Sequence, residues 1–329
     1  PAISSSSLPE RQIAWHETDQ TLADTRMIPT LLERYRGSLL GLACGDAVGT
    51  AVEFQTRGTF APLTDMIGGG PFGLAPGKWT DDTSMALCLA ESLLNKSGFD
   101  AVDQMGRYLN WWQWGYLSST GDCFDIGMTV RQALMSYQET GNPFAGSTDP
   151  QSAGNGSLMR LAPVVLFYYP DAGQVESFCA DSSRTTHAAS EAIQCCRLFG
   201  LLLAKALAGG AKASLLTLDS TTFTEPKVAH IATGAYVEKS QSEIVGAGYA
   251  VASLEAALWC FQQTDSLEAA ILGAANLGDD ADTTAAIAGQ LAGAYYGVNQ
   301  IPPQWLERLY MRTDIEATAN ALFHASRAR

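Results

Sequence analysis

An all-α fold follows from three features of the sequence. Apolar residues recur at helical spacing in segment after segment, strand-like alternation is nearly absent, and small residues repeat where two helices would have to touch. The spacing predicts helices over 31–46, 81–96, 99–116, 126–138, 156–169, 173–182, 187–209, 248–262, 266–276, 281–297, 303–311 and 314–326.

The first helix opens just after Pro29 and carries Gly37, Gly41, Gly45 and Gly49 every four residues, hence on one face. Each glycine costs about 1 kcal/mol against alanine in a helix. A repeated cost of that kind is explained by close approach of another backbone, and Gly289 and Gly293 in the 281–297 segment offer the matching surface, so both helices are expected near the centre. A membrane-dimer reading fails on length and on Asp46. The second helix opens at Thr80, Asp81, Asp82 and Thr83; in the third, Trp111, Trp112 and Trp114 cannot share a face and are read as core and rim packing. The loop before the second helix contains Gly68, Gly69 and Gly70 and is read as flexible, a linker or a lid. Asn155, Gly156 and Ser157 are placed at the mouth of the 156–169 helix, where free amides suit an anionic group, and His187 at the start of 187–209. Cys195, Leu198, Leu201 and Leu202 mark the apolar side of that helix, as Leu254, Leu258 and Phe261 mark 248–262. The 281–297 helix opens at Asp279, Asp280, Ala281, Asp282, Thr283 and Thr284.

Composition sets the remaining bounds. Of 329 residues, 47% are hydrophobic and 16% charged, so one large core can form and disorder of most of the chain is excluded. A single domain is expected over 29–329, with 1–28, which has a serine run and Trp15 but no sustained periodicity, as an N-terminal arm. Twenty basic and 34 acidic residues leave a net charge of −14, which repels nucleic acid and anionic membranes at long range. An anionic small ligand remains acceptable if the site carries its own cations. Seven cysteines, odd in number and scattered through apolar runs, point to reduced thiols and a cytoplasmic location. Neither a basic-then-apolar leader nor about 18 uncharged apolar residues in a row is present.

The two acidic runs carry the chemistry. A helix cap needs one acceptor, whereas each run supplies more carboxylates and hydroxyls than a first turn can use. If the runs converge, like charges about 4 Å apart cost about 4 kcal/mol per pair at an effective dielectric of 20. Bound cations offset that cost, and the all-oxygen donor set suits two hard ions, Mg²⁺ or Mn²⁺, over zinc. Such a pair orients phosphates or hydroxyls and activates water, so hydrolysis is the expected reaction.

These residues resemble a known family. Gly41, Gly45, Asp46, Ala47, Gly49 and Glu53, then Trp79 to Thr83, then Cys123 to Gly127, then Gly154 to Arg160, then Thr186 and His187, then Gly278 to Thr283 stand in the order of the ADP-ribosylglycohydrolase family. The resemblance runs roughly from Tyr35 to Gly297. It implies an all-helical fold around a binuclear Mg²⁺ or Mn²⁺ site with Thr80, Asp81, Asp82, Asp280, Asp282 and Thr283 as ligands. It also implies release of ADP-ribose from a modified protein side chain, most closely arginine, with Glu53, Asp81 and Asp280 in the chemistry and Asp122 or Asp125 meeting the leaving side chain. Gly45, Asp46, Asn155, Gly156, Ser157 and His187 fall to substrate binding. Asp279 stands where many relatives have glycine. Two alternatives stay open: a partner that neutralises an ADP-ribosyltransferase toxin by inserting residues 1–28 into its active site, alone or beside the hydrolase, and a metal phosphoesterase acting on nucleotide derivatives.

Overall fold

The computed structural model of the protein describes residues 28–329. The arm expected over 1–28, apart from exposed Ile28, lies outside the described residues. Within them the chain forms fourteen α-helices: α1 (Leu31–Gly49), α2 (Asp81–Lys96), α3 (Ala101–Trp114), α4 (Met128–Thr140), α5 (Ala162–Tyr168), α6 (Ala172–Arg184), α7 (Ser190–Leu207), α8 (Lys212–Leu215), α9 (Pro226–Ala232), α10 (Ala250–Gln263), α11 (Leu267–Ala275), α12 (Ala281–Tyr296), α13 (Pro303–Arg308) and α14 (Arg312–Arg327). Strand-like pairing among the described residues is confined to isolated bridges. The all-α expectation holds.

Helix α1 is the hub. A capping box starts it: the Thr30 hydroxyl accepts from the Glu33 amide at 3.3 Å while the Glu33 carboxylate accepts from the Thr30 amide at 2.7 Å. From Gly37 onward it is buried on every side. It packs along its length on α12, with α11, α14 and α2 closing the other faces. The predicted glycine contact is real and in register. A Cβ added to Gly37, Gly41, Gly45 or Gly49 would overlap the backbone carbonyl of Gly293, Gly289, Ala285 or Ala281 respectively. Arg34, 5% exposed, holds two helix ends at once by donating to the carbonyls of Ala206 at 3.2 Å, Ala294 at 2.9 Å and Tyr295 at 2.6 Å.

Several expectations need correction. The 156–169 segment is helical only from Ala162, because Pro163 suits a first turn and Gly154 to Leu161 form successive turns. The mouth-of-a-helix placement of Asn155, Gly156 and Ser157 therefore does not stand. His187 precedes α7 instead of opening it; it pairs with Ser147 in a bridge, and the helix begins at Ser190. Helices α8 and α9 lie in 210–247, where the sequence pattern predicts no helix; both are short, and α9 opens on a proline. Gly68 to Gly70 form a tight turn, closed by the Gly69–Leu74 pair, in which a Cβ on Gly70 would overlap the Thr50 carbonyl. Trp111 is buried and Trp114 is 76% exposed, as core and rim packing requires.

The glycine stripe yields a paired prediction. Gly41→Ala gains about 1 kcal/mol of helix propensity but forces α1 from α12, so net destabilisation of about 2 kcal/mol or more is expected in urea unfolding. Gly106→Ala, in α3 with open space around it, should stabilise by up to about 1 kcal/mol. Equal effects at the two positions would contradict backbone contact as the reason for the stripe.

Candidate functional site

The two acidic runs meet. Thr283, at the start of α12, donates its hydroxyl to Asp82 Oδ1 at 3.2 Å, and Thr80, before α2, lies 3.2 Å from Asp282 Oδ2. Both helices thus direct their N-termini, with the positive ends of their dipoles, at one place. Asp81 is 7% exposed, Asp82 0%, Asp282 1% and Glu53 4%. Carboxylate oxygens of Glu53, Asp125 and Asp282 lie within 4.8 Å of one another.

Asp46 organises this from α1. One oxygen accepts from the Thr80 amide and hydroxyl, both at 2.8 Å, and the other accepts from the Thr83 amide at 3.0 Å and hydroxyl at 2.6 Å. With all its acceptor capacity engaged and no exposure, Asp46 serves as the N-terminal acceptor of α2 and does not line the cleft. Gly45 likewise lies in the α1–α12 contact. Asp280 is held by the Asn155 amide at 2.6 Å, which also reaches the Ser253 hydroxyl at 3.2 Å.

A cleft of about 620 Å³ opens over the cluster. Glu53, Asp81, Asp125, Asp279, Asp280, Asp282 and Thr283 form its acidic floor; Asn155, Gly156 and His187 form one wall; Phe54, Ile126 and Met128 supply apolar surface. Among the described residues, no lysine or arginine lines it. Ser157 is buried behind the wall, where its hydroxyl accepts from Ser183 at 2.9 Å and from the Cys196 thiol at 3.3 Å. Asp122 is exposed and away from the cleft, since Ser118 and Thr120 bond its carbonyl and turn the chain before Asp125 enters. Asp279 has φ of +55° and exchanges backbone bonds with Phe54 and Gln55, a left-handed position that glycine adopts freely.

Burial first, then neighbouring negative charge, raises these carboxyls: Asp81, Asp82 and Asp282 well above the usual carboxylate range, Asp125 to about 7 and Glu53 to about 9. Glu53 Oε2 and Asp82 Oδ2 are buried without a hydrogen-bond partner among the described residues. Unpartnered carboxyl oxygens in an all-oxygen donor set fit a hard divalent cation, whose charge would favour their ionised form. His187 differs: burial, then the Arg160 cation, pushes it down to about 3, so its ring is neutral.

Three contributors escaped sequence reasoning. Gln290 braces the wall turn from α12, accepting from the Ala162 amide at 2.8 Å and donating to the Met159 carbonyl at 2.8 Å; its only signal is one amide in an alanine- and glycine-rich helix. Ser253 sits beneath Asn155, and Gly248 accepts from the Asn155 amide at 3.0 Å.

An acidic cleft at two helix N-termini defines the class of all-helical proteins built around a buried carboxylate cluster. The particular family follows from comparison: the ADP-ribosylglycohydrolase profile matches residues 27–329, and the chain belongs to that family. It is 44% identical over 306 residues to ADP-ribosylarginine hydrolase Tri1 of Pseudomonas putida (strain GB-1), covering 92% of this chain and 81% of that one. With ADP-ribosylarginine hydrolase Tri1 of Serratia proteamaculans (strain 568) it shares 41% over 293 residues, covering 89% and 80%. With the ADP-ribosyl-(dinitrogen reductase) glycohydrolase of Rhodospirillum rubrum it shares 32%, covering 88% and 94%. A solved structure described as an ADP-ribosylglycohydrolase-related protein complex superposes with TM-score 0.81 at 44% identity, over 90% of this chain and 99% of that chain. None of these relatives favours the toxin-occluding alternative, and the arm it depends on lies outside the described residues.

The crowded carboxylates predict opposite effects of one substitution. In chelator at pH 7, Asp82→Asn should melt higher than the native chain by about 2–4 °C, because folding must otherwise either protonate Asp82 or bury its charge among negative neighbours, a cost asparagine does not carry. Added Mg²⁺ should raise the native melting point and leave Asp82→Asn nearly unmoved. A variant that melts lower in chelator and still responds to Mg²⁺ would show that Asp82 has no part in cation binding.

Proposed function

We propose that this chain hydrolyses the N-glycosidic bond between C1″ of ADP-ribose and an arginine side chain of a modified protein. The observation that carries the reading is the buried carboxylate cluster under an open cleft, in a chain 44% and 41% identical to two proteins named ADP-ribosylarginine hydrolase. Thr80, Asp81, Asp82, Asp280, Asp282 and Thr283, with Glu53 and Asp125 at the open side, would hold two divalent cations, Mg²⁺ or Mn²⁺. When bound, these ions supply positive charge that orients ribose hydroxyls and makes water a stronger nucleophile.

The protein groups do the rest. Glu53 lines the cleft with a buried Oε2 that has no hydrogen-bond partner among the described residues, and it exchanges the proton of the attacking water. The C1″–N bond breaks through an oxocarbenium-like state, a C1″–O bond forms, and the guanidine leaves with the bonding pair and takes up a proton. Asp125, in the same cluster as Glu53, meets that departing cation. Asp280 is held to one orientation by Asn155, while Gly156 and His187 shape the wall that receives the rest of the ligand. Asp46 and Ser157 act through the groups they hold. Residues 29–329 constitute the catalytic domain and 1–28 an extension; the seven unpaired cysteines favour a reducing, cytoplasmic setting.

Incubation with arginine- and serine-ADP-ribosylated proteins side by side tests the reading. Intact ADP-ribose is expected from the arginine conjugate alone, and EDTA should abolish its release. Glu53→Gln and Asp280→Ala should lower turnover by about a hundredfold or more, with Asp122→Ala within about twofold. AMP or ribose phosphate among the products would favour phosphoester cleavage, and release from serine alone would overturn the acceptor assignment.

A further inference from the structure

Arg160 is a fully buried cation without a carboxylate partner among the described residues. It is 0% exposed, and its guanidinium lies 4.6 Å from the centre of the Tyr108 ring. Its Nη2 donates to Thr186 Oγ1 at 2.7 Å and stands 3.4 Å from the Ser182 carbonyl and 3.5 Å from Thr185 Oγ1; Nη1 lies 3.8 Å from Met85 Sδ, and Nε has no partner. Every one of these neighbours is neutral. Burying an unpaired charge costs several kcal/mol, and packing alone does not require it.

The contacts of Thr186 show what the charge does. Because Thr186 Oγ1 already accepts from Arg160, its own hydrogen is free to donate, and the acceptor within reach is His187 Nδ1 at 2.8 Å. A ring whose Nδ1 accepts carries its proton on Nε2. The reverse tautomer would leave the Thr186 hydroxyl hydrogen buried without an acceptor. Nε2 is the edge turned toward the cleft wall: a Cβ on Gly154 would lie 3.3 Å from it and a Cβ on Gly156 3.2 Å from it, so two missing side chains keep that edge uncovered. With no lysine or arginine among the described residues lining the cleft, the Arg160 guanidinium, one residue on from Met159 in the wall, is positive charge delivered from behind.

We propose that Arg160 is a positioning residue that acts through Thr186 to lock His187 as the neutral Nε2–H tautomer, presenting a fixed N–H donor to an acceptor oxygen of an anionic ligand in the cleft. The ligand part of this rests on the ADP-ribose reading above; the tautomer part does not. A neutral donor suits the place, because it binds an anion without a proton that comes and goes with pH.

Selective ¹⁵N labelling of histidine in the full chain tests it, since only His16, His187, His230 and His324 contribute signals and His187→Gln identifies the relevant one. At neutral pH the native protein should show His187 with Nδ1 unprotonated and Nε2 protonated. Thr186→Ser should keep that pattern and Thr186→Val should mix the tautomers. Thr186→Val should also weaken binding of free ADP-ribose, measured by calorimetry, by the factor by which the Nε2–H fraction falls, about twofold for an even mixture. Arg160→Gln should mix the tautomers in the same way. An Nδ1–H ring in the native protein, or a Thr186→Val variant with native tautomer and native affinity, would overturn the proposal. The spectrum needs neither ligand nor turnover, so failure to hydrolyse ADP-ribosylarginine would sink the functional reading and leave this one standing, while a wrong tautomer in an active enzyme would do the opposite.

Discussion

The backbone contact between α1 and α12 is the constraint on which the rest depends. Four glycines on α1 let the carbonyls of Ala281, Ala285, Gly289 and Gly293 come closer than any side chain would allow. Helix α12 begins at the acidic run, so the same contact sets Asp282 beside the end of α1, from which the chain continues to Glu53. One turn before that end, Asp46 grips Thr80 and Thr83. A single helix therefore positions three acidic contributors: α12 by its glycine face, α2 by its carboxylate, and Glu53 by its exit. Glycine's unfavourable helix propensity is the cost of that precision.

Electrostatics divides the buried carboxylates into two kinds. Asp46 is as buried as any, yet four hydrogen bonds hold its pKa to about 6 against the pull of burial. Asp82 and Asp282 are equally buried and have fewer donors, and negative neighbours add to desolvation. The first arrangement is complete within the protein. The second lacks positive charge, and no lysine or arginine among the described residues lines the cleft to supply it. The distinction between a saturated capping acid and an under-partnered one, which both runs blur in the sequence, lies in the count of donors around each oxygen.

Much of this is legible in the amino-acid sequence. Glycine every four residues marks a close-packed face, because few other reasons offset so much lost propensity, and two acid-rich helix starts signal a shared ligand because capping saturates early. The fold class and the meeting of Asp82 with Thr283 follow from those facts. Other features are hidden for physical reasons. Asp46 and Glu53 are both acids near one helix end, and only three-dimensional contacts reveal that one is saturated and the other is not. Gly156 to Leu161 reads as helix from its apolar residues, but the chain there turns and the helix starts only at Ala162, with Pro163 in its first turn. Helices α8 and α9 span too few residues to display a period.

Backbone strain, invisible in a residue pattern, gathers at the acidic cleft. Among the described residues six that are not glycine have positive φ, and three of them, Phe54 at +62°, Asp125 at +58° and Asp279 at +55°, line the cleft. Aspartate tolerates this region better than most residues, but for a bulky aromatic it is an outlier. At Phe54 the conformation is enforced by the backbone bond to Asp279, whose own left-handed geometry is fixed by the return bond to Gln55. The result leaves Glu53 buried in the cleft lining and Phe54, the next residue, 68% exposed. Two strained residues locked to each other hold the segment after α1 against the segment before α12, so the acids converge without either helix having to bend. Strain that persists in a well-packed chain is over-determined by its surroundings, and here the surroundings are the two helices whose contact builds the site.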